Sequence, residues 1–203
     1  MNLPNKLTLL RVILIPFFLL FIYIDIPFNF LFALIIFAAA SITDALDGKI
    51  ARKNNSRSGN LCRFYFEIFG KFLDPLADKV LVISALTVFV ELDEVHMGAI
   101  PLIIISAREF MVSGLRLLAA DSGIVVAAGI WGKLKTAFTM VTIVAALLWL
   151  SICYDFSFGI SETVVNAVDC WVIPALIWIS TALTVISGAV YLKGYWHLID
   201  SDK

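Results

Sequence analysis

Four aspartates stand at spacings that chemistry can use. The run Ser41-Ile-Thr-Asp44-Ala-Leu-Asp47-Gly48-Lys-Ile-Ala51-Arg52 has the character of a helix end, and positions 44, 47, 48, 51 and 52 follow the i, i+3, i+4 rule onto one face. That face holds two carboxylates, two very small residues and an arginine. Downstream, Gly70-Lys-Phe-Leu-Asp74-Pro75-Leu-Ala-Asp78 opens another helix, with Asp74 and Asp78 four apart on a shared face. Pro75 falls in its first turn, where a missing N–H costs little. Converging carboxylates repel one another and need cations between them. All-oxygen ligands suit magnesium, manganese or calcium rather than zinc. Four carboxylates can hold two divalent ions, and two ions about 4 Å apart clamp a phosphoryl group in transfer. Gly48, Ala51 and Gly70 leave room for a bulky polar ligand. Small residues on a membrane helix ordinarily serve packing, and a lone Asp at a helix end is ordinarily a cap. Those plain readings suit single residues and fail for the four aspartates together.

A second group is basic. Arg108 and Arg116 lie eight apart, two helical turns, on nearly one face, and Lys133 and Lys135 open the next helix. Four cations beyond those near the aspartates imply an anionic ligand, and guanidinium forks fit phosphate well. The plain alternative is that they bind lipid headgroups or anchor helix ends. Glu109 is placed to pair with Arg108 or a lysine and orient it. Other conspicuous residues have bland readings. His96 and His197 have no ligand-like partner in sequence. Trp149, Trp171 and Trp178 suit interface belts or packing. Cys62, Cys153 and Cys170 form no CxxC and no framework, so Cys153 and Cys170 are expected to be buried free thiols.

The elements that position these groups follow from composition. Of 203 residues, 61% are hydrophobic and 15% charged, with a mean hydropathy of +0.97. A water-soluble domain has about 25% charged and about 45–50% apolar residues. The chain is therefore expected to be an integral, all-α membrane protein in the lipid bilayer, with one domain over 1–203. A net charge of −1 gives no basic field for nucleic acid. Six spans emerge, at about 8–25, 28–53, 71–91, 97–120, 130–154 and 170–193. The head, Asn2 to Leu7, is expected at the interface. No small-residue cleavage site follows the first span, which is read as retained. With both termini cytoplasmic, the outer connections at about 24–29, 91–98 and 155–169 contain no Lys or Arg, and all 15 fall on the inner half. Ionisable groups at membrane depth mark function by default, and here they gather on the cytoplasmic side of four helices.

At this point the motif Asp44-x2-Asp47-Gly48-x2-Ala51-Arg52 … Gly70-x3-Asp74-x3-Asp78 resembles the signature of the CDP-alcohol phosphatidyltransferases. Further runs resemble the branch that makes phosphatidylglycerophosphate. They are Pro4-Asn5-Lys-Leu-Thr8-Leu-Leu-Arg11, Ala107-Arg108-Glu109-Phe-Met-Val-Ser-Gly-Leu-Arg116 and Gly132-Lys133-Leu-Lys135-Thr136. The resemblance implies a six-helix membrane enzyme, usually a homodimer, in the cell membrane with its active site facing the cytoplasm. It implies CDP-diacylglycerol as donor and release of CMP. It makes Asp44, Asp47, Asp74 and Asp78 ligands of two Mg2+ (or Mn2+), with Asp78 also the catalytic base. Gly48, Ala51, Arg52, Ser58 and Gly70 would contact the nucleotide or donor phosphate, and Asn5, Thr8 and Arg11 line the same mouth. Glycerol 3-phosphate, whose phosphate carries about −2, is the acceptor that Arg108, Arg116, Lys133 and Lys135 would hold. The family's usual spacing from motif arginine to second glycine is shorter than the seventeen residues between Arg52 and Gly70 here. The extra stretch lies near Gly59–Phe69, and its aromatics and Arg63 suit an interfacial segment.

Two rivals remain at this stage. A sister enzyme with serine, inositol or a lipid as acceptor would leave the basic group uncompensated. A cation transporter would use the aspartates as a pathway, but transporters commonly show paired repeats about the midplane. Here no repeat is visible and the acids cluster at one face.

Overall fold

The structure is a computed structural model that describes residues 3–51, 76–77, 79–121, 129–156 and 160–199. Side chains are described within that set except at 3–8, 44–51, 118, 120, 121 and 195–199. Among the described residues every regular element is helical and none is a strand. In order they are α1 (Leu3–Tyr23), α2 (Asn29–Ala51), α3 (79–91), a 3-10 turn (Asp93–Val95), α4 (Ala99–Asp121), α5 (Ile130–Leu150) running into a π-helical turn (Ser151–Asp155), α6 (Glu162–Ala167), a second π-helical turn (Val168–Val172) and α7 (Ile173–Ile199).

Two helical stretches, Ile130–Asp155 and Glu162–Gly194, are long and apolar enough to cross a membrane, and shorter apolar helices cover Leu9–Tyr23 and Asn29–Thr43. At 1.5 Å per residue, the 26 residues of the first span about 39 Å, against about 30 Å of hydrocarbon. Helix α4 has 23 residues but carries Arg108, Glu109 and Arg116 within it. Large apolar side chains such as Ile103, Leu117, Val141 and Trp171 point outward. An apolar exterior of this kind fits a membrane protein.

The chain divides into two compact units, Met1–Val88 with Leu147–Ile160, and Phe89–Ala146 with Ser161–Lys203. In the first, α1 and α2 form a helical hairpin. Phe18 meets Phe37 at 5.9 Å between ring centroids, and Phe21 meets Phe32 at 5.3 Å. The buried row on α1 is Arg11, Ile15, Phe18 and Ile22, and on α2 it is Ala33, Phe37 and Ala40. Both rows step by three and four, the spacing of one helix face. Phe28 turns the chain between the helices at a φ of 64° and meets Phe156 in a tilted ring contact at 5.3 Å between centroids.

Helix α2 starts with orphan N–H groups, as every helix does. The Asp155 carboxylate accepts the Leu31 N–H at 2.7 Å and sets a negative charge against the positive end of the helix dipole. Asp155→Ala should therefore cost about 1 kcal/mol of stability, with Asp155→Asn losing less because an acceptor remains. Thermal unfolding in detergent checks this, and equal midpoints for Ala and wild type would remove the cap.

In the second unit, α4 packs on α7. The buried row of α4 is Pro101, Ile105, Arg108, Val112 and Ala119. That of α7 includes Ser180, Thr181, Thr184, Ser187, Gly188 and Tyr191. Small and hydroxyl-bearing residues let membrane helices approach closely. Thr139 of α5 and Ser180 of α7 share a hydrogen bond at 2.7 Å. The π-helical turn Val168–Val172 lies just ahead of Pro174. The proline has no N–H for the carbonyl of residue 170, and the wider turn sits where that hydrogen bond is lost.

Two boundaries differ from the sequence expectation. Residues 3–7 are continuous with α1 rather than a separate segment, because Pro4 falls in the first turn and nothing after it breaks the helix. The last long helix begins at Glu162 rather than near 170, so the expected 155–169 connection is largely helical. Its start is set by the Ser161 carbonyl, which accepts the Val164 and Val165 N–H groups at 2.8 and 3.2 Å. Glu162 then lies in the first turn, where the dipole favours an acid. Cys153 is half-buried and Cys170 exposed, where buried side chains were expected.

Candidate active site

The aspartate positions of the second helix belong to the first unit. Positions 44, 47, 48 and 51 all belong to α2. In the register of that helix they continue the row Ala33, Phe37, Ala40, which packs toward α1. The hairpin's ring pairs set Arg11 about level with Asp44, and Arg11 is fully buried. Asn5 and Thr8 fall on the first turns of α1. The side chains of Asn5, Thr8, Asp44, Asp47, Gly48 and Ala51 lie outside the described residues, as do Arg52, Ser58, Gly70, Asp74, Asp78 and the Gly59–Phe69 stretch. Among the described residues no three His, Cys, Asp or Glu side chains gather.

The basic group is described in atomic detail, and it belongs to the second unit. Arg108 sits in the buried row of α4. Its Nη2 donates to Ser187 Oγ of α7 at 2.6 Å and its Nη1 donates to Glu109 Oε1 at 3.3 Å. Lys135, buried at the start of α5, forms an ion pair with the same Glu109 oxygen. Glu109 thus bridges an arginine and a lysine, as its position in sequence suggested. Arg116 reaches back along α4 so that its Nη2 donates to the Tyr191 hydroxyl at 2.9 Å. The guanidinium carbons of Arg108 and Arg116 lie 5.4 and 5.5 Å from the Tyr191 ring centroid. Lys133 is exposed on α5 and stands outside these contacts.

The two arginines expected to share a face therefore do come together, on a residue that the sequence did not single out. Tyr191 and Ser187 are four apart on α7, but on an apolar helix they look like packing groups. Gly129, Gly132 and Gly188 were also missed. The Gly129 N–H donates to the Tyr191 hydroxyl at 3.1 Å. A Cβ at Gly132 would meet that hydroxyl at 3.2 Å and Arg108 Nη2 at 3.7 Å, and one at Gly188 would meet Arg108 Cγ at 3.3 Å.

Among the described residues Glu109 pairs with two members of this group, Arg108 and Lys135. The Arg108 Nε is buried with no hydrogen-bond partner among the described residues. Guanidinium forks match an oxyanion such as phosphate, which takes two N–H donors side by side.

Comparison with known proteins points the same way. Residues 1–186 match the family model described as CDP-alcohol phosphatidyltransferase. A Bacillus subtilis protein named CDP-diacylglycerol–glycerol-3-phosphate 3-phosphatidyltransferase is 37% identical, covering 100% of this chain and 99% of its own. Proteins of the same name from Rickettsia bellii and Escherichia coli are 36% and 41% identical. Their alignments cover 95% and 73% of this chain, and 94% and 77% of their own. The chain belongs to the CDP-alcohol phosphatidyltransferase family and is a phosphatidyltransferase.

Proposed function

We propose that this chain transfers the phosphatidyl group of CDP-diacylglycerol to sn-glycerol 3-phosphate, giving phosphatidylglycerophosphate and CMP. The observation that carries this reading is the full-length match to a relative named for that reaction. The meeting of Arg108 and Arg116 on one tyrosine supports a phosphate-bearing acceptor over serine or inositol, which carry no phosphate.

The family is generally dependent on a divalent metal. The donor set fits a hard cation, since α2 brings two carboxylate positions, 44 and 47, onto one face beside the small positions 48 and 51. Asp44, Asp47, Asp74 and Asp78 would hold two Mg2+ or Mn2+. When bound, such ions neutralise charge on the pyrophosphate and on departing CMP. Asp78 takes the proton from the acceptor hydroxyl as that oxygen attacks the donor phosphorus. Gly48, Ala51 and Gly70 give room to the nucleotide, and Asn5, Thr8, Arg52 and Ser58 contact it or the donor phosphate. Arg108, Arg116, Lys133 and Lys135 hold the acceptor's phosphate. The one-sided distribution of Lys and Arg supports six spans in the cytoplasmic membrane, both termini inside, and an active site facing the cytoplasm. The family resemblance supports a homodimer.

A donor-and-acceptor panel tests the reading. Purified protein in detergent, given CDP-diacylglycerol, should release CMP with glycerol 3-phosphate and not with serine or inositol. Use of serine or inositol with no response to glycerol 3-phosphate would replace this reading with a sister enzyme. Within the site, Arg116→Gln should raise the KM for glycerol 3-phosphate about ten-fold, the value of one charge-assisted contact of about 1.5 kcal/mol. Lysine there should rescue only partly, because a point charge does not replace a fork. The donor KM should change much less; donor and acceptor constants shifting together would remove Arg116 from the acceptor site.

A further inference from the structure

We propose that Tyr191 is the positioning residue of the acceptor-phosphate site, holding Arg108 and Arg116 at one spacing and so setting how tightly a phosphate is gripped. This rests on the reading of those arginines as the acceptor's phosphate ligands.

The two guanidinium groups come from positions two turns apart on α4, and they would repel each other if brought together alone. Both instead lie against one ring, whose negative face attracts cations. An arginine side chain has many rotamers, and an exposed one such as Arg116 samples them. Its bond to the Tyr191 hydroxyl selects the rotamer that brings it beside Arg108. The hydroxyl is itself fixed, because the Gly129 N–H, just ahead of α5, donates to it. Tyr191 is 4% exposed, so the ring is clamped by its surroundings. Gly132 and Gly188 complete the arrangement. Each sits where a methyl group would press on the tyrosine or on the Arg108 side chain. The result is two guanidinium groups ordered before an anion arrives, which reduces the ordering cost at binding.

A residue that works in this way acts through the arginines. Its loss should weaken the acceptor while leaving the chemical step and the donor alone. Tyr191→Phe keeps the ring and removes the hydroxyl. Its KM for glycerol 3-phosphate should rise about five-fold, the value of one ordinary hydrogen bond, with kcat at saturating acceptor and the KM for CDP-diacylglycerol unchanged. In the double variant Tyr191→Phe/Arg116→Gln the loss should equal that of Arg116→Gln alone, because residues acting through one contact are not additive. Gly132→Ala, which would press a methyl group on the Tyr191 ring and hydroxyl, should also raise the acceptor KM. Additive losses, an unchanged acceptor KM in Tyr191→Phe, or donor and acceptor constants rising together would each overturn the proposal.

Calorimetric binding of inorganic phosphate separates this inference from the reaction itself. If the wild type ignores glycerol 3-phosphate, yet phosphate binding weakens non-additively in Tyr191→Phe and Arg116→Gln, the reaction assignment falls and the positioning role stands. If phosphate binding is the same in both variants as in the wild type, the positioning role falls whatever the acceptor.

Discussion

Asp78→Asn is expected to lower kcat for CMP release by about 10³-fold or more while CDP-diacylglycerol still binds. The size follows from what a positioned general base contributes, about 10²–10⁴-fold, together with a weakened contact to the metal. An amide has the shape of the carboxylate, so the fold should be little disturbed. The amide cannot accept the proton of the acceptor hydroxyl. A carboxylate of ordinary pKa, about 4, is a weak base for an alcohol. It succeeds only where the hydroxyl is held in line and polarised, so placement decides the rate. Single-turnover CMP release at saturating acceptor, with equilibrium donor binding measured in parallel, separates the two roles. A kcat near the wild-type value would remove Asp78 from the base role. Loss of donor binding as complete as the loss of turnover would make it a metal ligand alone.

What the sequence made legible, and what it did not, follows the range of the interactions. The i, i+3, i+4 rule is local. It is met by α2, which carries positions 44, 47, 48 and 51 in one helix. It is also met by α4, where residues eight apart both reach Tyr191. Glu109 was readable as a partner because a neighbouring arginine and a nearby lysine run bracket it in sequence. Tyr191 was not, since its bond to Arg116 spans 75 residues and a lone tyrosine on an apolar helix has the pattern of an interface aromatic. Asp155 opens an outer connection, and nothing in sequence singles it out. Its work is capping Leu31, 124 residues away. The polar row Ser180, Thr181, Thr184 and Ser187 was invisible for a related reason. Hydroxyl-bearing residues scattered on an apolar helix have no pattern of their own until the facing helix supplies one. Helix starts were misjudged where a first turn is polar, as at Glu162, because a membrane span is found by its apolar stretch and not by its cap.

Removing divalent metal should abolish CMP release entirely, and magnesium or manganese should restore it. Four carboxylates sharing one membrane-embedded site, as proposed, would repel at short range, where the surrounding dielectric screens poorly. Arg11, fully buried on the face of α1 that packs on α2, would offset part of this charge. Arg11 is a single charge and cannot bridge a pyrophosphate. Without metal, the donor's own negative charge would be added to the carboxylates, so donor binding as well as turnover should fail. The same reasoning gives a readout apart from activity. An ion that binds the folded site stabilises it by about 2.7 kcal/mol at a hundred times its dissociation constant. Adding magnesium to chelated protein should therefore raise the thermal midpoint in detergent, and Asp44→Asn or Asp74→Asn should blunt that rise. Zinc, which prefers nitrogen and sulfur ligands, should be a poorer substitute than manganese. Full turnover in excess chelator would overturn metal dependence outright. A metal-induced rise in midpoint that survives both aspartate substitutions would move the ion to some other site.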